Sequence, residues 1–206
     1  MTNNFISKER NKLKYFVGNW KMFGDLDSFK IIERIRQFYI KFRTSNKKNK
    51  IILCVPNTLI GFYKKKLNSK IILLGAQNCS QHKNYGAFTG SVSALMLKKA
   101  GAEFIILGHS ENRMEGETSQ LIKRKIKSAL SENLNVIFCI GETASEKKQG
   151  KTLPVLCNQL KNSIDKKFDL NKIIFAYEPV WSIGTGKRPR AHYLLKITMY
   201  IKNFFK

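Results

Sequence analysis

Apolar residues along the chain fall into short continuous runs separated by segments of helical period. The runs are Tyr15 to Asn19, Ile51 to Val55, Ile71 to Ala76, Phe104 to Leu107, Asn135 to Ile140 and Ile173 to Tyr177. Continuous rather than alternating apolar runs suit parallel strands covered on both faces. Between them, Ile31/Ile32, Ile35, Phe38/Tyr39 and Phe42 make one helical face, and Leu121/Ile122, Ile126 and Ala129/Leu130 make another. Strict alternation of strand and helix predicts an α/β fold with a parallel sheet. The runs begin every ~32 residues, a normal length for a βα unit, so about six units fit from Tyr15 onward. No linker, low-complexity tract or close internal repeat divides them. At this level an open doubly wound sheet and a closed barrel fit equally.

The 206 residues are 43% hydrophobic and 11% aromatic, enough for a sizeable core and too apolar for a disordered chain. No apolar run is long enough to cross a bilayer, and Met1 to Arg10 contains no apolar h-region, so a cytoplasmic protein without membrane partners is expected. Cys54, Cys79, Cys139 and Cys157 form no C-x-x-C pair and are expected as reduced thiols. The net charge of +24 raises nucleic acid as a partner. However, the basic residues comprise 30 Lys and only 8 Arg, whereas base readout leans on Arg. Lys47-Lys48, Lys64-Lys65-Lys66, Lys147-Lys148 and Lys166-Lys167 are spread along the chain. Solvated Lys faces are the expectation, with no specific nucleic-acid partner.

Ligands of open α/β sheets and of β/α barrels bind beyond the carboxyl ends of the strands. The first run leads into Gly18-Asn19-Trp20-Lys21-Met22 and the third into Gln77-Asn78. The fourth leads into Gly108-His109-Ser110-Glu111, the fifth into Gly141-Glu142 and the sixth into Glu178-Pro179. A Lys, a His and a Glu are thus expected on one rim. A lone His usually serves structure, but three such groups on one rim, with Gly beside two of them, favour chemistry. Gly150-Lys151-Thr152 is similar to the end of a nucleotide P-loop. Ser145 occupies the first Gly position, however, and no strand feeds directly into it, so that reading is rejected.

Gly18-Asn19-Trp20-Lys21-Met22, Gly108-His109-Ser110-Glu111, Cys139-Ile140-Gly141-Glu142 and Ala176-Tyr177-Glu178-Pro179-Val180-Trp181-Ser182-Ile183-Gly184-Thr185-Gly186 closely resemble the triosephosphate isomerase family in order and interval. Gly75-Ala76-Gln77-Asn78 and Gly86-Ala87-Phe88-Thr89-Gly90 resemble its third-strand end and its dimer loop. The resemblance covers about residues 15 to 190 and implies a parallel (β/α)8 TIM barrel. It implies interconversion of D-glyceraldehyde 3-phosphate and dihydroxyacetone phosphate through an enediolate, in glycolysis and gluconeogenesis, with no cofactor and no metal. In the family a carboxylate is the base and a neutral imidazole the electrophile, the known division of labour of this enzyme. Carried onto this chain, Glu178 resembles the base and His109 the electrophile. Lys21 supplies positive charge to the substrate dianion, and Asn19 positions oxygen atoms. Ser110, Glu111 and Cys139 are supporting residues. A carboxylate suits the role if burial lifts its proton affinity while leaving it ionised before reaction. Pro179 to Lys187 resembles the phosphate lid, with Gly184 at the phosphate.

The family barrel holds ~250 residues. The resemblance therefore implies a 1–14 N-terminal extension and, over 15–206, an incomplete barrel of about six βα units. Strands seven and eight, with their phosphate-binding loops, have no counterpart in it. After Arg190, the helix-like Ala191-His192-Tyr193-Leu194-Leu195-Lys196 carries no clear family signature, and His192 reads as an exposed helix residue. Ser91 stands where the family has an acid and Asn112 where it has Arg, two positions that pair across the family's dimer interface. Losing both avoids one unpaired buried charge. A homodimer is expected, weakened at this contact, with Thr89 reaching the partner's site near Asn19. Two other readings compete: a catalytically impaired barrel fragment and a Lys-rich nucleic-acid binder.

Overall fold

The structure, a computed structural model, describes residues 14–42, 49–67 and 71–205. The expected extension over 1–14 lies outside these residues except for Lys14, as do Lys47 and Lys48. Among the described residues six parallel-type strands follow the predicted runs closely. They are β1 (Lys14–Asn19), β2 (Asn49–Cys54), β3 (Ile72–Ala76), β4 (Phe104–Leu107), β5 (Asn135–Ile140) and β6 (Ile173–Tyr177). The helices are α1 (Phe29–Phe42), α2 (Asn57–Lys66), α3 (Ala94–Ala100), α4 (Ser110–Met114), α5 (Ser119–Ser131), α6 (Ala144–Lys148), α7 (Thr152–Ser163) and α8 (Ala191–Phe204). The described residues form two compact units, those up to Gln77 with Leu97–Phe104, and Asn78–Met96 with those from Ile105 onward.

In the first unit β1, β2 and β3 are parallel neighbours, with Phe16 opposite Ile51 and Ile52 opposite Leu73. Leu59, Ile60 and Tyr63 of α2 are buried, and the Tyr63 hydroxyl donates to the Asp25 carbonyl ahead of α1. Cys54 is buried so completely that desolvation pushes its thiol up to about 12. Such a thiol stays protonated and inert at neutral pH. β1 departs from the expected two-sided burial. Tyr15, Phe16 and Val17 are 40%, 57% and 42% exposed, because β1 ends the strand order and has one strand neighbour among the described residues. The α1 face departs likewise: Ile32 is buried, whereas Ile31, Phe38 and Phe42 are exposed. A cavity of about 520 Å³ lies between Phe16, Ile51, Ile35 and Phe38.

In the second unit β5 and β6 are parallel, with Phe138 opposite Phe175 and Ile140 opposite Tyr177. The side chain of Thr118 accepts from the Leu121 N–H and so caps α5. Ile122, Ile126 and Ala129 then face the core, as the helical period predicted. Leu156 and Leu160 of α7 are buried beside them, and both helices pack on β5. A buried polar knot ties this unit's loops to α5. The Asn78 amide donates to Glu117 at 2.8 Å, and Lys125 donates to Asn78 at 3.0 Å and pairs with Glu117. No helix among the described residues is long and apolar enough to cross a membrane.

Two phenylalanines separate packing from mere presence. Phe138 on β5 is fully buried, and Phe38 on α1 is 65% exposed. In urea denaturation, Phe138→Ala should lower stability by about 3–5 kcal/mol and Phe38→Ala by less than about 1 kcal/mol. Equal losses would overturn this placement of the core.

Candidate active site

The end of β4 is set by a glycine. Gly108 has φ 71°, and a Cβ there would lie 2.9–3.1 Å from Arg113, Phe138 and the Cys139 carbonyl. The turn delivers His109, 7% exposed, to the head of α4. There the His109 Nδ1 accepts the Glu111 N–H at 3.3 Å. The Glu111 carboxylate is 3.4 Å from the same nitrogen, but that side chain is nearly half exposed and solvated. With Nδ1 occupied by a donor, the ring proton is assigned to Nε2.

The Nε2–H lies 2.9 Å from Glu178 Oε1, and the Ser110 N–H lies 3.4 Å from Oε2. Each carboxylate oxygen thus has its own donor. Burial pushes the Glu178 pKa up, but the His109 ring and the Ser110 N–H together outweigh it, and the carboxyl sits below its ordinary 4.5. This is the reverse of the lift by burial that would suit a base. An apolar pocket would have raised the value; donors aimed at both oxygens lower it.

Behind this pair, Arg113 donates to the Gly108 carbonyl at 2.8 Å and to the Cys139 carbonyl at 3.3 Å. Burial pulls its pKa down from the ordinary value. Cys139 therefore takes part through its backbone, beneath a buried thiol. The sequence reading passed over Arg113, although it lies only four residues beyond His109.

Glu178 opens the Pro179–Lys187 segment, and its N–H donates to the Ile140 carbonyl at 2.8 Å. A single 3-10 turn, Val180–Ser182, follows Pro179. Gly184 and Gly186 have φ 68° and 70° with open space around them, so conformation rather than crowding requires glycine there. The Trp181 indole donates to Glu142 Oε1 at 2.8 Å. Glu142 is 0% exposed, and the hydroxyls of Tyr177 and Tyr193 also donate to it. The sequence flagged Glu142 only as a strand-end neighbour of Gly141, and it missed Tyr193 altogether. His192 is exposed on α8, as read.

Asn19 and Lys21 stand together in the other unit. Asn19 Oδ1 accepts the Lys21 N–H at 2.9 Å and holds Lys21 at φ 53°, a region a lysine rarely enters. The Trp20 N–H and the Gln77 amide both donate to the Cys54 carbonyl, fixing the stretch on either side. Thr89 and Ser91 are exposed on the loop after β3, where His82 stacks on Phe88 at 3.6 Å. Asn112 lies within α4 and uses its carbonyl to accept the Glu117 N–H.

The triosephosphate isomerase family model matches residues 14–206. The triosephosphate isomerase of Yarrowia lipolytica is 42% identical over 195 residues, spanning 93% of this chain and 76% of that protein. That of Bartonella tribocorum is 36% identical over 190 residues, spanning 92% and 74%. The crystal structure of triosephosphate isomerase from Bartonella henselae superposes with a TM-score of 0.81 at 34% identity, over 92% of this chain and 74% of that one.

The lowered Glu178 pKa carries a sign. Its stabilising contribution is complete above the ordinary 4.5 and is lost as pH falls through the folded value. Carboxylate-resolved NMR titration should place Glu178 below 4.5 in the folded protein, and His109→Ala should move it upward, since burial then meets fewer donors. A value unmoved by that substitution would show that His109 is not the controlling donor.

Proposed function

We propose, because this chain belongs to the triosephosphate isomerase family, that it interconverts D-glyceraldehyde 3-phosphate and dihydroxyacetone phosphate. The reaction is an aldose–ketose isomerisation by proton transfer through an enediolate. It belongs to glycolysis and gluconeogenesis, and the cytoplasm is its proposed place. The fold is the parallel TIM-barrel type with about six βα units in this chain.

The observation that carries the catalytic reading is the His109–Glu178 contact. A carboxylate base needs its proton site free, and an electrophile needs a proton to offer. Nδ1 of His109 already accepts the Glu111 N–H, so Nε2 is the nitrogen that can donate to a substrate carbonyl oxygen. The contact at 2.9 Å holds Glu178 ionised until substrate displaces it. Glu178 then takes a proton from one carbon flanking the carbonyl and returns it to the other. His109 donates to the oxygen as charge develops there. Lys21, held by Asn19, is assigned the anionic substrate and the developing oxyanion, and Asn19 the substrate oxygens. Gly184 presents backbone to the phosphate. Ser110 tunes the base through its N–H, Glu111 sets the imidazole tautomer through its own, and Cys139 anchors Arg113 behind the site.

A homodimer is the proposed assembly, with Thr89 on the loop that meets the partner. Exposed apolar side chains support it: Tyr85 and Phe88 are 65% and 45% exposed, and Met114 is 75% exposed. Ser91 and Asn112 leave the contact without its family ion pair, so the proposed affinity is lower.

Glu178→Asp should keep the fold and substrate affinity while slowing turnover on the order of a hundredfold, since the carboxylate retreats by ~1 Å. Unchanged turnover would remove Glu178 from the role of base. Sedimentation equilibrium should show a reversible dimer, and a monomer at every concentration up to ~100 μM would end the dimer proposal.

A further inference from the structure

Glu142, at the end of β5, gathers donors from three separate segments. Tyr177 closes β6, Trp181 lies at the first hinge of the proposed lid, and Tyr193 sits in the first turn of α8, beyond the lid's other end. The Tyr177 hydroxyl is 2.9 Å from Oε2 and 3.0 Å from Oε1, and its one proton is shared between them. Oε1 also receives both the Trp181 indole and the Tyr193 hydroxyl, each at 2.8 Å. Three donors thus converge on one fully buried carboxyl group. The Thr152 hydroxyl lies 3.1 Å from the Tyr193 oxygen and can donate to it. The Lys147 ammonium lies 2.9 Å from the centre of the Trp181 ring and 5.1 Å from that of Tyr193. The first hinge of the proposed lid and the helix that follows the lid are thereby fastened to one side chain.

We infer that Tyr193 is a positioning residue for the lid: by sharing Glu142 Oε1 with Trp181, it sets how readily the lid hinge is released. The reading rests on Pro179–Lys187 being the lid. A buried acceptor that loses its last donor costs more than one that keeps another. When Trp181 leaves, Tyr193 remains on Oε1, so release exposes no orphaned oxygen. Without the Tyr193 hydroxyl the same departure leaves Oε1 only a share of the Tyr177 proton, and Trp181 is held more tightly. Tyr177 has a smaller effect, because its one proton is divided between the two oxygens. Nothing in the sequence pattern marks Tyr193; its phenol acquires this role from the place where α8 begins.

Tyr193→Phe isolates the hydroxyl, because the ring stays to face Trp181 and Lys147. The chain contains 2 Trp, so the indole N–H exchange of Trp181 can be followed by NMR with Trp20 as internal reference. In Tyr193→Phe the Trp181 indole should exchange roughly tenfold more slowly. Trp20 and the β5 amides should be unaffected, and Tyr177→Phe should slow Trp181 by less than Tyr193→Phe does. Thr152→Val, which removes a donor that polarises the phenol, should slow Trp181 in the same direction by less. Unchanged or faster Trp181 exchange in both Tyr193→Phe and Thr152→Val would overturn the inference. Isomerase turnover with glyceraldehyde 3-phosphate is measured on the same samples. Slowed exchange with a matching fall in turnover supports the positioning role. Slowed exchange with undiminished turnover overturns it. Slowed exchange in Tyr193→Phe, with no isomerase activity in the wild-type chain, refutes the catalytic reading and leaves the Tyr193–Trp181 coupling standing.

Discussion

The backbones of Gly141 and Glu178 approach so closely that a Cβ on Gly141 would lie 1.8 Å from the Glu178 carbonyl oxygen. No side chain survives at that distance, so the residue after β5 has to be glycine for β6 to finish where it does. Much follows from this contact. The Glu178 N–H reaches the Ile140 carbonyl and extends the β5–β6 ladder by one bond past the last paired residues. That bond aims the Glu178 side chain at His109 and sends the next residues away as the Pro179–Lys187 loop. Gln159 of α7 supports the same spot, accepting the Gly141 N–H and donating to its carbonyl, both at 2.9 Å. The amide thus satisfies both backbone groups of a residue too crowded for a strand partner.

Charge in the second unit is handled by supplying each buried group with partners. Glu142 receives three donors, Arg113 binds two backbone carbonyls, and Lys125 faces Glu117 and Asn78. Two side-chain oxygens of this unit stand apart, Glu117 Oε2 and Ser163 Oγ, which are buried without a hydrogen-bond partner among the described residues. Buried ionic groups add little net stability against an apolar replacement, but removing one partner is costly. They therefore hold loops in one arrangement more than they stabilise the fold as a whole. Most Lys residues among those described lie outside these contacts on exposed faces, which is how a net charge of +24 coexists with an ordinary α/β core.

Sequence period located β4, β5 and β6 to the residue, because each is a short apolar run closed by glycine or a polar residue. It also found the buried stripe of α5. It overstated the burial of β1 and α1, since a pattern shows which residues are apolar and says nothing of whether a neighbouring strand or helix covers them. Phe16 and Phe138 look alike in sequence, yet one is 57% exposed and the other fully buried.

What the sequence determined by itself was the alternation of strand and helix, the glycines at forced backbone positions, and the residue types at the strand ends, including His109 and Glu178. These are local matters, settled by side-chain period and by φ/ψ sterics. What only the tertiary structure decided was the balance of fields and contacts: that donors on both oxygens lower the Glu178 pKa against its burial, that Arg113 braces two turns, and that Tyr193 and Trp181 meet on Glu142 from positions 12 residues apart in the chain. Hydrogen-bond strength and desolvation depend on distance and enclosure in three dimensions, and no spacing along the chain encodes either.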